Sequence, residues 1–261
     1  LSSILAEERK NAILERLQTH GRVNAADLAQ LFDVSMETIR RDFDMLEKDG
    51  LLKRLHGGAV KIQTQMEELP FYQRRNVYLE EKKRVAKRAS QLVNDGDTII
   101  MGGGTTILEM ASSLRNVNKV TILTNSVPTA HTLMDSLNQG LFQGKVILLG
   151  GEMNAENYST SGTVCEKMID SFRVSKAFIS PGGISLSGIM EYTLDDSSIS
   201  AKMIQVAKET IILVDHSKIG VETLCKVSGM DQINAIVCDQ NAPQSWKPNL
   251  QNIDWITASE E

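Results

Sequence analysis

Along the first sixty residues the apolar positions recur at helical spacing. Ile13, Leu14 and Leu17 form a first stripe, and His20-Gly21 ends it with a residue suited to the left-handed conformation common at helix C-termini. Leu28, Leu31 and Phe32 predict one apolar face on a helix over residues 25–32. Asp33-Val34-Ser35 reads as a tight turn, with Ser35 the N-cap of the next helix. Met36, Ile39, Phe43 and Leu46, spaced 3, 4 and 3, put a core-facing stripe on that helix over residues 36–48 and turn Glu37, Thr38, Arg40, Arg41, Asp44 and Lys48 outward. Gly50 closes it, residues 51–55 predict a short strand, and His56-Gly57-Gly58 turns the chain back into Ala59-Val60-Lys61. Two helices, a three-residue turn, a helix with adjacent exposed arginines and a hairpin make a winged helix-turn-helix, with Lys53, Arg54 and His56 near the wing.

Beyond residue 62 the pattern changes. Residues 63–78 are polar, contain Pro70 and hold no sustained period, which predicts a connector. Residues 71–92 carry seven basic side chains against two acids; a solvated helix face is the preferred reading, extra phosphate contact the other. From Glu80, the spacing of Val85, Ala86, Ala89, Leu92 and Val93 predicts an amphipathic helix. Short apolar runs then alternate with helical segments: 98–101, 120–123, 146–149, 177–179, 211–214, 235–237 and 255–256. Such runs predict strands buried on both faces of a mostly parallel sheet, hence an α/β domain.

Ligands of parallel α/β sheets bind beyond the carboxyl ends of the strands. Five of those ends here carry small, hydroxyl or amide residues: Gly102-Gly103-Gly104-Thr105-Thr106, Thr124-Asn125-Ser126, Gly150-Gly151-Glu152, Ser180-Pro181-Gly182-Gly183, and Asp215-His216-Ser217-Lys218. Uncovered backbone N–H groups, a helix N-terminus after Gly104 and the Lys218 ammonium together suit an anion. A dinucleotide fingerprint is excluded because Ile107 stands where its third glycine would, and no strand is followed by the Gly-Lys-Ser/Thr of a P-loop. No cofactor is expected.

Composition narrows the field further. The 28 basic and 33 acidic side chains give −5 over 261 residues, so the chain is no general polyanion binder. Residues 1–60 hold nine Lys/Arg against ten Asp/Glu, so any DNA-facing surface is local; on spacing alone a protein-binding winged helix stays open beside the DNA reading. Cys165, Cys225 and Cys238 form no CxxC pair, which signals neither a disulfide framework nor a metal site. No apolar run of membrane-spanning length and no basic-then-apolar leader occurs, so a cytoplasmic protein is expected.

Val34-Ser35-Met36-Glu37-Thr38-Ile39-Arg40-Arg41-Asp42, followed by Arg54-Leu55-His56-Gly57-Gly58-Ala59, resembles the N-terminal domain of DeoR-family bacterial transcriptional regulators. Gly104-Thr105-Thr106, Thr124-Asn125-Ser126, Gly150-Gly151, Ser161-Gly162 and residues 215–220 are similar to the effector domain of the same family, itself similar in fold to sugar-phosphate isomerases and deaminases. The resemblance implies a winged helix over 1–62, a linker over 63–78 and an α/β effector domain over 79–261. It also implies operator DNA as partner, contacted by Ser35, Thr38, Arg40, Arg41, Lys53, Arg54 and His56. A phosphorylated sugar or related metabolite is the implied effector, held by Gly103, Gly104, Thr105, Thr106, Thr124, Asn125, Ser126, Gly150, Gly151, Gly182, Gly183, Asp215 and Lys218. A repressor of a carbohydrate operon, dimeric or tetrameric, is the implied function. Two departures bear on the effector: Gly102 stands where the family carries an acid, and Asp196 where Glu is expected. The competing reading is a sugar-phosphate isomerase or deaminase with a DNA-binding head. It would draw its acid and base from Glu152, Asp195, Asp196, Asp215 and His216, but a lone Asp-x-x-Lys is more simply a salt bridge or hydroxyl-binding pair.

Overall fold

The computed structural model describes residues 6–49, 51–55, 57–60 and 68–259. The chain divides into two compact units, Leu1–Tyr78 and Leu79–Glu261.

The first unit opens with α1 (Ala6–His20), β1 (Arg22–Asn24) and α2 (Ala25–Phe32). The Asn24 side chain accepts from Ala26 N at 2.8 Å to start α2, and Asp33 ends it in the left-handed conformation, φ 52°. α3 (Met36–Lys48) comes next, then β2 (Lys53–Leu55), β3 (Gly58–Val60) and the short α4 (Phe71–Arg74). β2 and β3 form the expected hairpin, and β1 pairs antiparallel with the other edge of β3, giving the order β1-β3-β2. That third strand is only three residues long, too short to show an alternation. The core gathers Ile13, Leu17, Leu28, Ile39, Phe43, Leu46, Leu52 and Ala59. Leu31 is not part of it: at 50% exposure it lies off the inward stripe of α2, which runs Ala25, Leu28, Ala29, Phe32 at i, i+3, i+4, i+7. Met36, in the opening turn of α3, is likewise exposed. Residues 63–67 lie outside the described residues; from Glu68 the chain is ordered around α4, with Phe71 and Tyr78 buried and Arg74 paired to Glu68 at 2.7 Å.

The second unit runs α5 (Leu79–Ser90), β4 (Thr98–Met101), α6 (Thr105–Ser113), β5 (Val120–Thr124), α7 (Val127–Asn138) and β6 (Gly144–Leu148). Next come β7 (Glu152–Asn154), β8 (Ser159–Ser161), α8 (Gly162–Asp170), β9 (Val174–Ile179), β10 (Gly183–Ser185) and β11 (Gly188–Glu191). The chain closes with α9 (Leu194–Val206), β12 (Ala207–Val214), β13 (Cys225–Ser228), β14 (Ala235–Cys238) and β15 (Asp254–Thr257). Seven strands form one wholly parallel sheet in the order β15-β14-β12-β9-β4-β5-β6. Period-two alternation divides their side chains. Ile99, Met101, Ile122, Phe178, Ile211 and Leu213 pack with α5 and α6, whereas Ile100, Leu123, Ala177, Ile179, Ile212 and Val214 pack with α8 and α9. The two edge strands depart from the expectation of full burial: β6 and β15 are largely half-buried or exposed, because each lacks a neighbour on one side. A small antiparallel sheet, β10-β11-β13, and the hairpin β7-β8 complete the unit. Among the described residues no helix is long and apolar enough to cross a membrane, and no His/Cys/Asp/Glu group could hold a metal.

The chain leaves β4 for β5 and β6 on one side of the sheet, then returns to β9 on the other and continues outward. The connections after β4 and β9 therefore run to opposite sides of the sheet, the topology at which ligands of parallel sheets bind.

Candidate functional site

In the first unit the candidate surface is built by α3. Ser35 Oγ accepts from Thr38 N at 3.1 Å and lies 2.9 Å from Thr38 Oγ1, so both hydroxyls fix the start of the helix while remaining near its surface. Arg40 and Arg41 project outward with side chains 55% and 77% exposed; Glu37 lies 3.9 and 3.6 Å from them, a spacing at which an exposed pair contributes little. Arg54 does not extend from the wing. Its guanidinium binds Asp44 of α3 and its backbone N donates to Glu47 at 2.7 Å, which ties the hairpin to the helix. Lys53 is exposed; His56 lies outside the described residues.

Asp42 is the residue that sequence reasoning missed here. It is buried against Arg9 of α1, with bonds of 2.5 and 3.1 Å to the guanidinium, and holds the Arg9 pKa above its ordinary value through that hydrogen bond. A signal existed: positions 39, 42, 43 and 46 are i, i+3, i+4 and i+7, so this acid stands on the apolar stripe and calls for a buried cation.

In the second unit the strand ends come together unequally. At the reversal, Gly104 takes φ +104° as the N-cap of α6, a conformation that favours glycine, and no side chain caps that helix. A Cβ on Gly104 would meet Ser180 at 3.6 Å, which places the β4 and β9 loops side by side. Thr105 and Thr106 open α6 and are 5% and 3% exposed; Gly103 and Gly104 are half-buried. Thr124 pairs in register with Met101, so Thr124-Asn125-Ser126 adjoins this loop. Within it, Thr124 Oγ1 accepts from Ser126 N at 3.1 Å and Ser126 Oγ caps α7 through Thr129 N at 3.4 Å.

The other glycines are largely accounted for by packing. Gly182 N donates to the buried Glu191 carboxylate at 3.1 Å, and a Cβ there would stand 2.7 Å from the Tyr192 ring; one on Gly183 would stand 2.4 Å from Val221 O. Gly150 N faces Met168 Sδ at 3.2 Å, and Gly151 is pressed against Ser161 O, both at the end of edge strand β6. Lys218 reaches over the Tyr192 ring, 5.6 Å from its centroid, which brings the ammonium toward the Gly182 loop.

Three of the titratable residues considered as acid or base, Asp196, Asp215 and His216, have other engagements. Asp215 is buried and caps its own turn, accepting from Ser217 N at 3.0 Å and from Ser217 Oγ. Glu152 and Asp195 are exposed; Asp196 accepts from Thr193 Oγ1 at 2.8 Å and from Asn157 Nδ2 at 3.1 Å. His216 binds Asp239 with both its ring Nδ1 (2.8 Å) and its backbone N (2.6 Å), spanning the ends of β12 and β14. That bond raises the His216 pKa above 6.5; burial pushes Asp239 up, but the imidazole bond, the His216 charge and backbone hydrogen bonds together outweigh it and the carboxyl sits below 3.8. Asp239 was not foreseen, since nothing in its local sequence marks it. His131 is exposed on α7, 3.4 Å from Asp135. All three cysteines are buried; burial raises the Cys165 thiol pKa and pushes that of Cys238 up to about 12, so neither is a nucleophile.

Comparison with known proteins covers both units. Residues 9–65 match the family model of the DeoR-like helix-turn-helix domain, and residues 78–240 that of the DeoR C terminal sensor domain. The HTH-type transcriptional repressor GlcR of Bacillus subtilis is 32% identical over 240 residues, 92% of this chain and 91% of that one. The lactose phosphotransferase system repressor of Staphylococcus aureus is 30% identical over 89% of this chain and 91% of its own. Ribose 5-phosphate isomerase A from Methanocaldococcus jannaschii aligns over 54% of this chain and 55% of its own with TM-score 0.39 and 20% identity, a likeness too distant to argue from. The sequence relatives are transcriptional regulators rather than enzymes.

Proposed function

The chain belongs to the DeoR family of transcriptional regulators, and from that premise we propose that it represses a carbohydrate-utilisation operon and is released by a phosphorylated sugar-type metabolite. Two relatives are named as repressors, one of them of a sugar phosphotransferase system. In this reading α3 lies in the major groove of the operator. Arg40 and Arg41 face base edges and phosphates, where the planar guanidinium fork donates paired hydrogen bonds. Ser35, Thr38, Lys53 and His56 add backbone contacts, and Arg54 acts by holding the wing.

The observation that carries the effector half is the first turn of α6. Its N-terminus opens at the sheet reversal behind Gly104, without a side-chain cap, and the two threonines that start it are buried. Orphan N–H groups at a helix start with positive dipole character suit a phosphate. Thr105 and Thr106 supply hydroxyl donors, Thr124–Ser126 flanks them, and Lys218 contributes charge from the β12 end. Gly150, Gly151, Gly182, Gly183 and Asp215 shape the loops rather than bind the ligand. Effector occupancy changes operator affinity only by its differential affinity for two arrangements of the paired heads, typically about 1–3 kcal/mol of coupling. A dimer or tetramer matches the symmetry of an operator.

The test is a double substitution, Thr105→Ala with Thr106→Ala, in the full chain. Operator retention in a gel shift is expected to persist, while release by sugar phosphates is lost. A variant that is released as readily as the parent places the phosphate elsewhere.

A further inference from the structure

Three buried polar atoms beside the α6 loop have no hydrogen-bond partner among the described residues: Asn125 Oδ1, Thr129 Oγ1 and Ser159 Oγ. Their residues are 4%, 0% and 2% exposed. Buried polar atoms are nearly always partnered, because leaving one bare costs the hydrogen bonds it had with water. Three in one place require a reason. The place is compact: Asn125 directly succeeds β5, Thr129 lies in the first turn of α7, and Ser159 in β8 bridges to Ser126.

The orientation of Asn125 fixes the chemistry. Its Nδ2 donates to Thr160 O at 2.8 Å, while Thr160 N donates to Asn125 O at 2.8 Å. Turning the amide over would set two acceptors against each other, so Oδ1 is the atom left over, and it can only accept. An acceptor repels a phosphate dianion. It calls for a donor, and the two neighbouring hydroxyls can each donate or accept. This combination matches the hydroxyl groups of a polyol.

We infer that Asn125, Thr129 and Ser159 form a hydroxyl-reading subsite beside the proposed phosphate site, completed by hydroxyls on the effector's carbon chain. The inference rests on the phosphate reading of the α6 loop. Thr124 is in register with Met101, so Asn125 stands one strand spacing from Gly102, roughly 4.8 Å across the sheet. A phosphate at α6 thus leaves its carbon chain next to the subsite. The three atoms are shut off from solvent, and Ser159 belongs to the β7-β8 hairpin, whose turn is fastened to α9 by the Asn157–Asp196 bond of 3.1 Å. Because the three atoms are shut off, entry of a polyol requires local opening around them. A site built to bond hydroxyls discriminates strongly against an analogue lacking them.

The test uses isothermal titration of the full chain with methyl phosphate, glycerol 3-phosphate and a hexitol 6-phosphate. The variants are Ser159→Ala and Thr129→Val, each of which removes a bare hydroxyl with little change of shape. The wild type is expected to bind the hexitol phosphate at least tenfold more tightly than methyl phosphate. Each variant is expected to melt at or above the wild-type temperature without ligand, to bind methyl phosphate unchanged, and to bind the hexitol phosphate about tenfold more weakly. A wild type that prefers none of the three esters, or variants that keep full hexitol phosphate affinity, overturn this inference and leave the phosphate reading standing. A wild type that binds none of them overturns the phosphate reading and this inference with it.

Discussion

In the N-terminal unit, the side chains proposed to meet DNA and those that hold the fold together are mostly different residues. Arg40 and Arg41 stand out in solvent, while the buried Arg9–Asp42 pair joins α1 to α3 and Ile39, Phe43 and Leu46 fill the core. In the C-terminal unit the two duties overlap. Ser126 adjoins the proposed effector and also caps α7; Asp215 ends a sheet strand and also fixes the turn that carries Lys218. The reading surface of the first unit can therefore be altered at Arg40 and Arg41 with little structural cost, whereas most changes at the strand ends of the second unit also change stability. Only side chains without internal partners escape that coupling in the second unit.

Four substitutions bear on this contrast. The largest effect is expected for Asp42→Ala, which removes the carboxylate paired with the buried Arg9 guanidinium; breaking such a buried pair costs about 3–5 kcal/mol. Thermal melting of the full chain followed by circular dichroism should show a separate early loss of helix, and an unchanged profile would mean that the pair carries no structural duty. Arg41→Ala should come next, with operator affinity falling by about 1–3 kcal/mol per head while the melting temperature stays fixed. Undiminished retention in a gel shift would remove α3 from the groove.

Asp239→Asn probes the second unit at a pair outside the proposed ligand contacts, with an expected loss of about 1–3 kcal/mol. The pH dependence has a definite sign. His216 titrates above 6.5 in the folded chain, so its share of the stabilisation is complete below 6.5 and lost as pH rises through the raised pKa. Asp239 titrates below 3.8, so its share is complete above 3.8 and lost as pH falls through the lowered one. The gap in melting temperature between parent and variant should be widest between these limits and narrow on either side. A gap independent of pH would contradict the ion pair. The smallest effect is expected for Ser35→Ala, about 1 kcal/mol from the lost N-cap, read by the same melting experiment.

Legibility from sequence tracked physical range. Helices of the first unit and the seven parallel strands declare themselves because periodicity is local: Ile39, Phe43 and Leu46 need only a helix, and Ile211–Val214 only a doubly covered strand. The hairpin β7-β8 and strand β1 are three-residue pairings whose partners are chosen by tertiary contact, so no local pattern announces them. The glycines of the site divide the same way. Gly104 can be read as a strand-to-helix turn, but nothing near Gly182 reveals that the Tyr192 ring lies where its side chain would be. Pairings across sheet or helix layers, Arg9 with Asp42 and His216 with Asp239, join positions 33 and 23 residues apart. Of these only Asp42 betrays itself, by standing on an apolar stripe.

The inward placement of Cys165, Cys225 and Cys238 has a practical corollary. With every native sulfhydryl shielded, a maleimide dye or nitroxide will couple selectively to one thiol engineered at an exposed α3 position such as Lys48. Native cysteines need not first be stripped out. The spacing between labelled heads in the proposed oligomer can thus be followed by energy transfer as the proposed effector is titrated in, with the sensing layer in its natural composition.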